Sequence, residues 1–154
     1  HKHLKVGDTV DINGPYGDFY YEDKYDNEMV LVAVGTGMAP ILSILYHMKD
    51  KDIKRKAKFY FGARTPEDLF LLDELKELEE TLYDFEFIPT LSRALDEHNW
   101  TGARGRVNVL LDNHIKNPDD KEAYLCGSPA MIDTVVEVLK EKGILEERIY
   151  YDKF

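Results

Sequence analysis

Several short stretches combine glycine with residues able to bind an anion or to react. The first, Gly35-Thr36-Gly37-Met38-Ala39-Pro40, follows the apolar run Met29-Val30-Leu31-Val32-Ala33-Val34. Two glycines let a backbone turn tightly and approach a ligand closely, and Pro40 can open a helix without losing a needed donor. A helix N-terminus presented in this way attracts negative charge, and a pyrophosphate is the usual guest. No Gly-Lys-Ser/Thr follows, so this is not a P-loop, and the third glycine of GxGxxG is missing. The spacing alone is also open to a turn that needs glycine for geometry.

The second stretch, Cys126-Gly127-Ser128-Pro129-Ala130-Met131, repeats the pattern of a glycine turn running into a helix start. A cysteine at a helix N-terminus is expected to have a lowered thiol pKa; the alternative is a buried cysteine acting as a small hydrophobe. Gly62-Ala63-Arg64 places a guanidinium where it can meet a phosphate or pair with Glu67 or Asp68. Ser92-Arg93 can hold a phosphomonoester through a hydroxyl and a bidentate fork, or lie in a solvated loop. The single Trp100 can pack on a ligand or cap the core. Histidines 1, 3, 47, 98 and 114 show no ligand spacing beside carboxylates, so no metal is expected. GxSxG is absent, which removes the nucleophile elbow.

Elements of alternating type must position these stretches. Val6 and Thr9 to Asn13 alternate with a period of two and predict a short strand, followed by the turn Gly14-Pro15-Tyr16-Gly17-Asp18-Phe19. Residues 21–27 are acidic and polar and read as a linker. Strands are then expected at 29–34, 57–61, 85–91, 123–126 and 149–151, and helices at 40–49, from Thr65-Pro66 through Leu78, at 107–115 and at 129–142. Five strands alternating with helices predict an α/β, doubly wound parallel sheet, Rossmann-like, with its site at the strands' carboxyl ends.

Composition narrows the function. The chain has 154 residues, about one domain on the usual soft prior. Its net charge of −10 repels phosphate backbones and anionic lipid, so no nucleic-acid partner is expected. The mean hydropathy of −0.44 and the six-residue length of the apolar run at 29–34 exclude that run as a membrane span. One cysteine excludes an intrachain disulfide framework or a multi-cysteine cluster, and a reducing, cytoplasmic compartment fits.

Taken jointly, these strand ends resemble the ferredoxin-NADP reductase superfamily, over almost the whole chain from Leu4 to Phe154. Gly35 to Pro40 looks like that family's GTGxAP nucleotide loop, and Cys126 to Met131 is similar to its CGxPxM segment. Gly62-Ala63-Arg64, with Asp68-Leu69 and Asp73-Glu74-Leu75, is also typical. Gly7-Asp8 and Gly14 to Phe19 look like the end of the family's flavin-binding barrel. Within the superfamily, Asn99-Trp100-Thr101-Gly102, Asn108-Val109-Leu110 and Ile149 to Phe154 are most like the flavin subunits of Na⁺-translocating NADH:quinone reductases.

The resemblance implies that residues 1–27 are the tail of the FAD-binding barrel plus a linker, and residues 28–154 the NAD(P)H-binding domain. The family's Arg-x-Tyr-Ser flavin motif, a 2Fe–2S cysteine cluster and an anchor helix are absent here, so the chain is expected to be a piece of a longer protein. The implied activity is that of an NADH:acceptor flavin oxidoreductase. Hydride passes from NADH to FAD, and electrons go on to a quinone or iron–sulfur redox partner, in the cytoplasm or at the cytoplasmic face of a membrane. Gly35 to Pro40, Gly62 to Arg64, Ser92-Arg93 and Cys126 to Met131, including Gly127, Ser128 and Pro129, are the implied cofactor-binding residues. Cys126 and Thr36 would lie beside the nicotinamide, and Phe154 looks like the C-terminal aromatic that covers the flavin. Ser92-Arg93 resembles a 2′-phosphate grip and the Asn99 block points to NADH, which is favoured over NADPH. The other readings are the NAD(P)H-binding half of an oxygenase or ferredoxin reductase, and a non-catalytic nucleotide-binding module. A receiver domain is excluded because the first strand ends in Ala33-Val34-Gly35-Thr36 and carries no Mg²⁺-binding acids.

Overall fold

In the computed structural model, residues 3–14 and 16–154 are described. Pro15 of the expected turn, with His1 and Lys2, lies outside them. The sheet is built from β1 (Glu28–Val34), β2 (Ala57–Ala63), β3 (Phe85–Leu91), β4 (Ala103–Arg104), β5 (Lys121–Gly127) and β6 (Ile149–Lys153). Its order is β4-β3-β2-β1-β5-β6, and every pair is parallel. Six strands therefore stand where five were expected. The extra one, β4, is two residues long and exists only through its pairing with Thr90 and Leu91.

The helices are α1 (Met38–Asp50), α2 (Leu72–Thr81), α3 (Val107–His114) and α4 (Pro129–Lys142). The continuous apolar run of β1 is explained by its central position, since side chains alternate between faces and both faces are covered. Met29, Leu31 and Ala33 face a core made with α1 and α2, whereas Val30 and Val32 face one made with α3 and α4. Ile41, Leu45, Leu75 and Leu139 are buried in these layers. Each such side chain contributes about 1.5–3 kcal/mol relative to exposure.

Two expectations fail locally. Residues 6 and 9–13 form no strand: Val6 and Ile12 are solvent-exposed, and among the described residues these positions pair with no strand of the sheet. A strand without a ladder partner has no compensation for its backbone groups. The helix expected to run on from Thr65 is instead a single 3-10 turn at Pro66–Asp68, and α2 starts only at Leu72. Asp68 turns back to accept hydrogen bonds from the backbone N–H groups of Arg64 and Thr65, at 3.2 and 3.3 Å. Phe70 packs edge-on against Phe61, and Leu71 adopts the left-handed conformation. Together these take the chain off the helical path.

Candidate functional site

The sheet order reverses at β1, which lies between β2 and β5, and the loops after these strands meet there. Gly35 at φ 53° begins a 3-10 turn, Gly35–Gly37, that leads directly into α1. Gly37 is pressed against the end of β5: a Cβ there would collide with the Cys126 carbonyl group. The backbone of the β1 loop thus approaches β5 as closely as glycine permits. Pro129 opens α4, and its first turn closes with Met131 and Ile132 N–H groups bonded to the Ser128 carbonyl.

A cleft of about 920 Å³ opens over this junction. Gly35 and Thr36 line it from the β1 loop, Gly62, Ala63 and Arg64 from the end of β2, and Ser92 from the end of β3. Ser128, Ala130, Met131 and Thr134 line it from α4, and Phe154 from the C-terminus. A Cβ at Gly35 would meet no protein atom within 4 Å, so a side chain there would occupy open cleft instead of core. These residues fit a dinucleotide: a bare glycine backbone, helix starts with positive dipole ends, and the Arg64 guanidinium.

The expected site is only partly gathered in this cleft. Gly37 and Met38 are buried beneath it, and Ala39 lines a separate groove on α1. Pro40 and Pro129 shape the helix starts without lining the cleft, and Gly127 packs beside Met131 and Val34. Arg93 is exposed and outside the lining, and the Ser92 hydroxyl donates to the Ala63 carbonyl at 3.2 Å. Trp100 does not line the cleft either; its Nε1 donates to the Ala103 carbonyl at 2.8 Å and its ring covers Gly102.

Cys126 departs from expectation. It is completely buried, and it lies at the end of strand β5, two residues before Ser128 precedes the helix. Burial, with the Asp152 carboxylate nearby, pushes its thiol up to about 11, not down. Loss of water around the sulfur is the larger of the two causes.

Arg106 and Asn108, at the start of α3, and Glu67 and Asp68, after β2, also line the cleft. A sequence signal that could find the first pair is Gly105-Arg106 just ahead of a helix. The Thr65 hydroxyl holds the Glu67 carboxyl below the usual range, so Glu67 is an anion at neutral pH. Among the described residues no three His, Cys, Asp or Glu side chains are grouped to hold a metal ion. No helix among them is long and apolar enough to cross a membrane.

Residues 31–137 match the family described as oxidoreductase NAD-binding domain. The chain is 40% identical over 155 residues to the reductase component of propane 2-monooxygenase from Mycolicibacterium smegmatis, covering 99% of this chain and 44% of that protein. It is also 40% identical over 156 residues to a subunit of the Na⁺-translocating NADH-quinone reductase of Neisseria meningitidis, covering 98% and 38%. Among solved structures, the Amycolatopsis cytochrome P450 reductase GcoB superposes with a TM-score of 0.83 at 29% identity, over 92% of this chain and 42% of that one. The chain thus spans about two fifths of the relatives it matches. The parallel sheet, the glycine turns at its switch point and these likenesses agree: the chain belongs to the oxidoreductase NAD-binding domain family.

Proposed function

We propose that this chain binds NADH and places its nicotinamide for hydride transfer to FAD held by a preceding domain of the same protein. Electrons then pass to a quinone or an iron–sulfur acceptor. The observation that carries this reading is the cleft over the β1/β5 junction, where Gly35 leaves open space beside the starts of α1 and α4.

In this reading the turn Gly35–Gly37 and the start of α4 hold the pyrophosphate, with Arg64 and Arg106 balancing its charge. Thr36 and Met131 flank the nicotinamide end, and Cys126 supports it from below. A flavin supplies the hydride acceptor. The Cys126 thiol stays neutral at physiological pH, so its contribution is packing and a weak S–H contact, not proton abstraction or nucleophilic attack. Phe154 lines the cleft, its N–H bonded to the Gly127 carbonyl at 3.3 Å, and in this reading swings aside for the ring to enter. Rate then comes from holding donor and acceptor in contact.

NADH is favoured over NADPH. Ser92 spends its hydroxyl on Ala63, Arg93 lies outside the cleft, and Glu67 and Asp68 present negative charge beside Arg64. Beside those carboxylates, Arg64 has little charge to spare for a third phosphate. Stopped-flow reduction of the flavin-loaded protein by NADH and NADPH in parallel tests both points. Faster reduction and tighter binding with NADH are expected. Equal or tighter binding of NADPH reverses the cofactor choice, and no flavin reduction by either nucleotide removes the hydride-transfer reading.

A further inference from the structure

Residues 19–27 form no helix or strand, yet they are held to the sheet by a buried polar cluster remote from the cleft. Arg55 and Glu122 are 4% and 0% exposed and form an ion pair at 3.2 Å. The other donors of Arg55 grip the entering chain. Its Nε and Nη2 donate to the Asn27 carbonyl at 3.0 and 2.8 Å, and its Nη1 donates to the Glu22 carbonyl at 3.3 Å. The Tyr124 hydroxyl donates to the Glu122 carboxylate and accepts from the Glu22 N–H at 3.0 Å. The Arg55 guanidinium lies over the Tyr21 ring, Tyr21 leans on His47 of α1, and Phe19 meets Tyr124 edge-on.

A buried ion pair is weak evidence for stability, because desolvation offsets its attraction; its better-attested use is to select one arrangement. Here the arrangement selected is the path of the backbone at 19–27. Glu122, Tyr124 and Cys126 alternate along β5, so they share one face of the strand. Phe19, which ends the held segment, therefore rests on Tyr124, about 7 Å along the strand from Cys126. The described residues before it are exposed.

We infer that Arg55, Glu122 and Tyr124 are positioning residues. They fix the point and direction at which the chain joins this domain, and so the placement of the preceding flavin domain over the cleft. This inference rests on the hydride-transfer reading above. None of the three lines the cleft, so their effect must pass through domain placement and not through nucleotide contact.

The test uses the flavin-loaded protein and single-turnover reduction by NADH, with NADH affinity measured alongside. Arg55→Lys keeps the positive charge but loses the planar fork that holds two carbonyls. Tyr124→Phe removes only the hydroxyl. Each is expected to lower the limiting rate of flavin reduction about tenfold, the scale on which small misplacements act, with NADH affinity little changed and the melting temperature lowered by several degrees because buried hydrogen bonds are lost. If Arg55→Lys does not fold, Tyr124→Phe and Tyr21→Leu carry the test. Limiting rates equal to the parent's overturn the inference. So does a loss of rate matched by an equal loss of NADH affinity, which marks a purely structural role. If the parent protein itself shows no flavin reduction, the hydride-transfer reading falls and the anchor with it; a normal parent with normal variants sinks the anchor alone.

Discussion

Cys126 is the one thiol of the chain, and its surroundings decide what it can do. With its thiol pushed up to about 11 by burial and Asp152, it is protonated at neutral pH. Iodoacetamide should therefore label the folded chain slowly at pH 7 and readily once it is unfolded. Rapid labelling of the native chain at that pH would contradict the buried, neutral thiol. Removing the sulfur while leaving the fold, as in Cys126→Ala, is expected to slow flavin reduction by about tenfold in the flavin-loaded protein, roughly 1.4 kcal/mol of barrier. An unchanged single-turnover rate would take Cys126 out of the site. Its neighbour Gly37 makes a different demand. An added methyl would collide with the Cys126 backbone, which cannot swing away as a side-chain tip can. Gly37→Ala should cost about 1–3 kcal/mol in urea unfolding, the usual range for overpacking.

At the scale of elements, the parts set by periodicity were legible in the sequence and the parts set by partners were not. The apolar run at Met29 to Val34 and the helical spacing after Pro129 announce β1 and α4, because burial on two faces or one stripe leaves a local pattern. The glycine turns after β1 and β5 were equally visible, and with them Gly35, Thr36, Ser128 and Met131. By contrast, β4 has two residues and no pattern; it is a strand only because Leu91 and Thr90 lie beside it. The break at Leu71 depends on Phe70 reaching Phe61, and the exposure of Val10 and Ile12 depends on what they lack as partners. The same dependence makes β4 testable. Thr90 is fully buried, and its hydroxyl donates to the Gly105 carbonyl at 2.9 Å, tying the end of β3 to the turn that carries Arg106 into the cleft. Thr90→Val conserves shape and leaves that carbonyl without this donor. It should destabilise the fold by about 1 kcal/mol and weaken NADH binding, as measured by urea titration and fluorescence titration. A loss of stability with unchanged affinity would show that the turn does not position Arg106.

For the molecule as a whole, the net charge of −10 means that an anionic dinucleotide is held by local geometry against the overall field. It also sets the conditions under which the fold fails, because further loss of protons adds to that charge. Burial pushes the Cys126 thiol from 9.0 to about 11 and, with Glu86 and Glu28 nearby, the Tyr60 hydroxyl from 10.0 to about 12. Burial raises Tyr124 and Tyr150 as well. Each of these groups holds its proton more tightly folded than unfolded. Below pH 9 both states are protonated and the stabilisation is fully present; from there upward the unfolded chain releases protons first, and stability falls as pH rises towards 12. At about 1.36 kcal/mol for each tenfold gain in proton affinity, Cys126 and Tyr60 each contribute a loss of order 2–3 kcal/mol across that window. Against a typical total of about 5–15 kcal/mol, two such losses are decisive. The urea midpoint should therefore be nearly flat from about pH 7 to 9 and drop steeply from about 9 to 12, and Cys126→Ser should flatten the first part of the drop. A midpoint that holds steady to about pH 11 in the parent chain would mean that these groups titrate alike in both states, and the buried environment assigned to Cys126 and Tyr60 would be wrong.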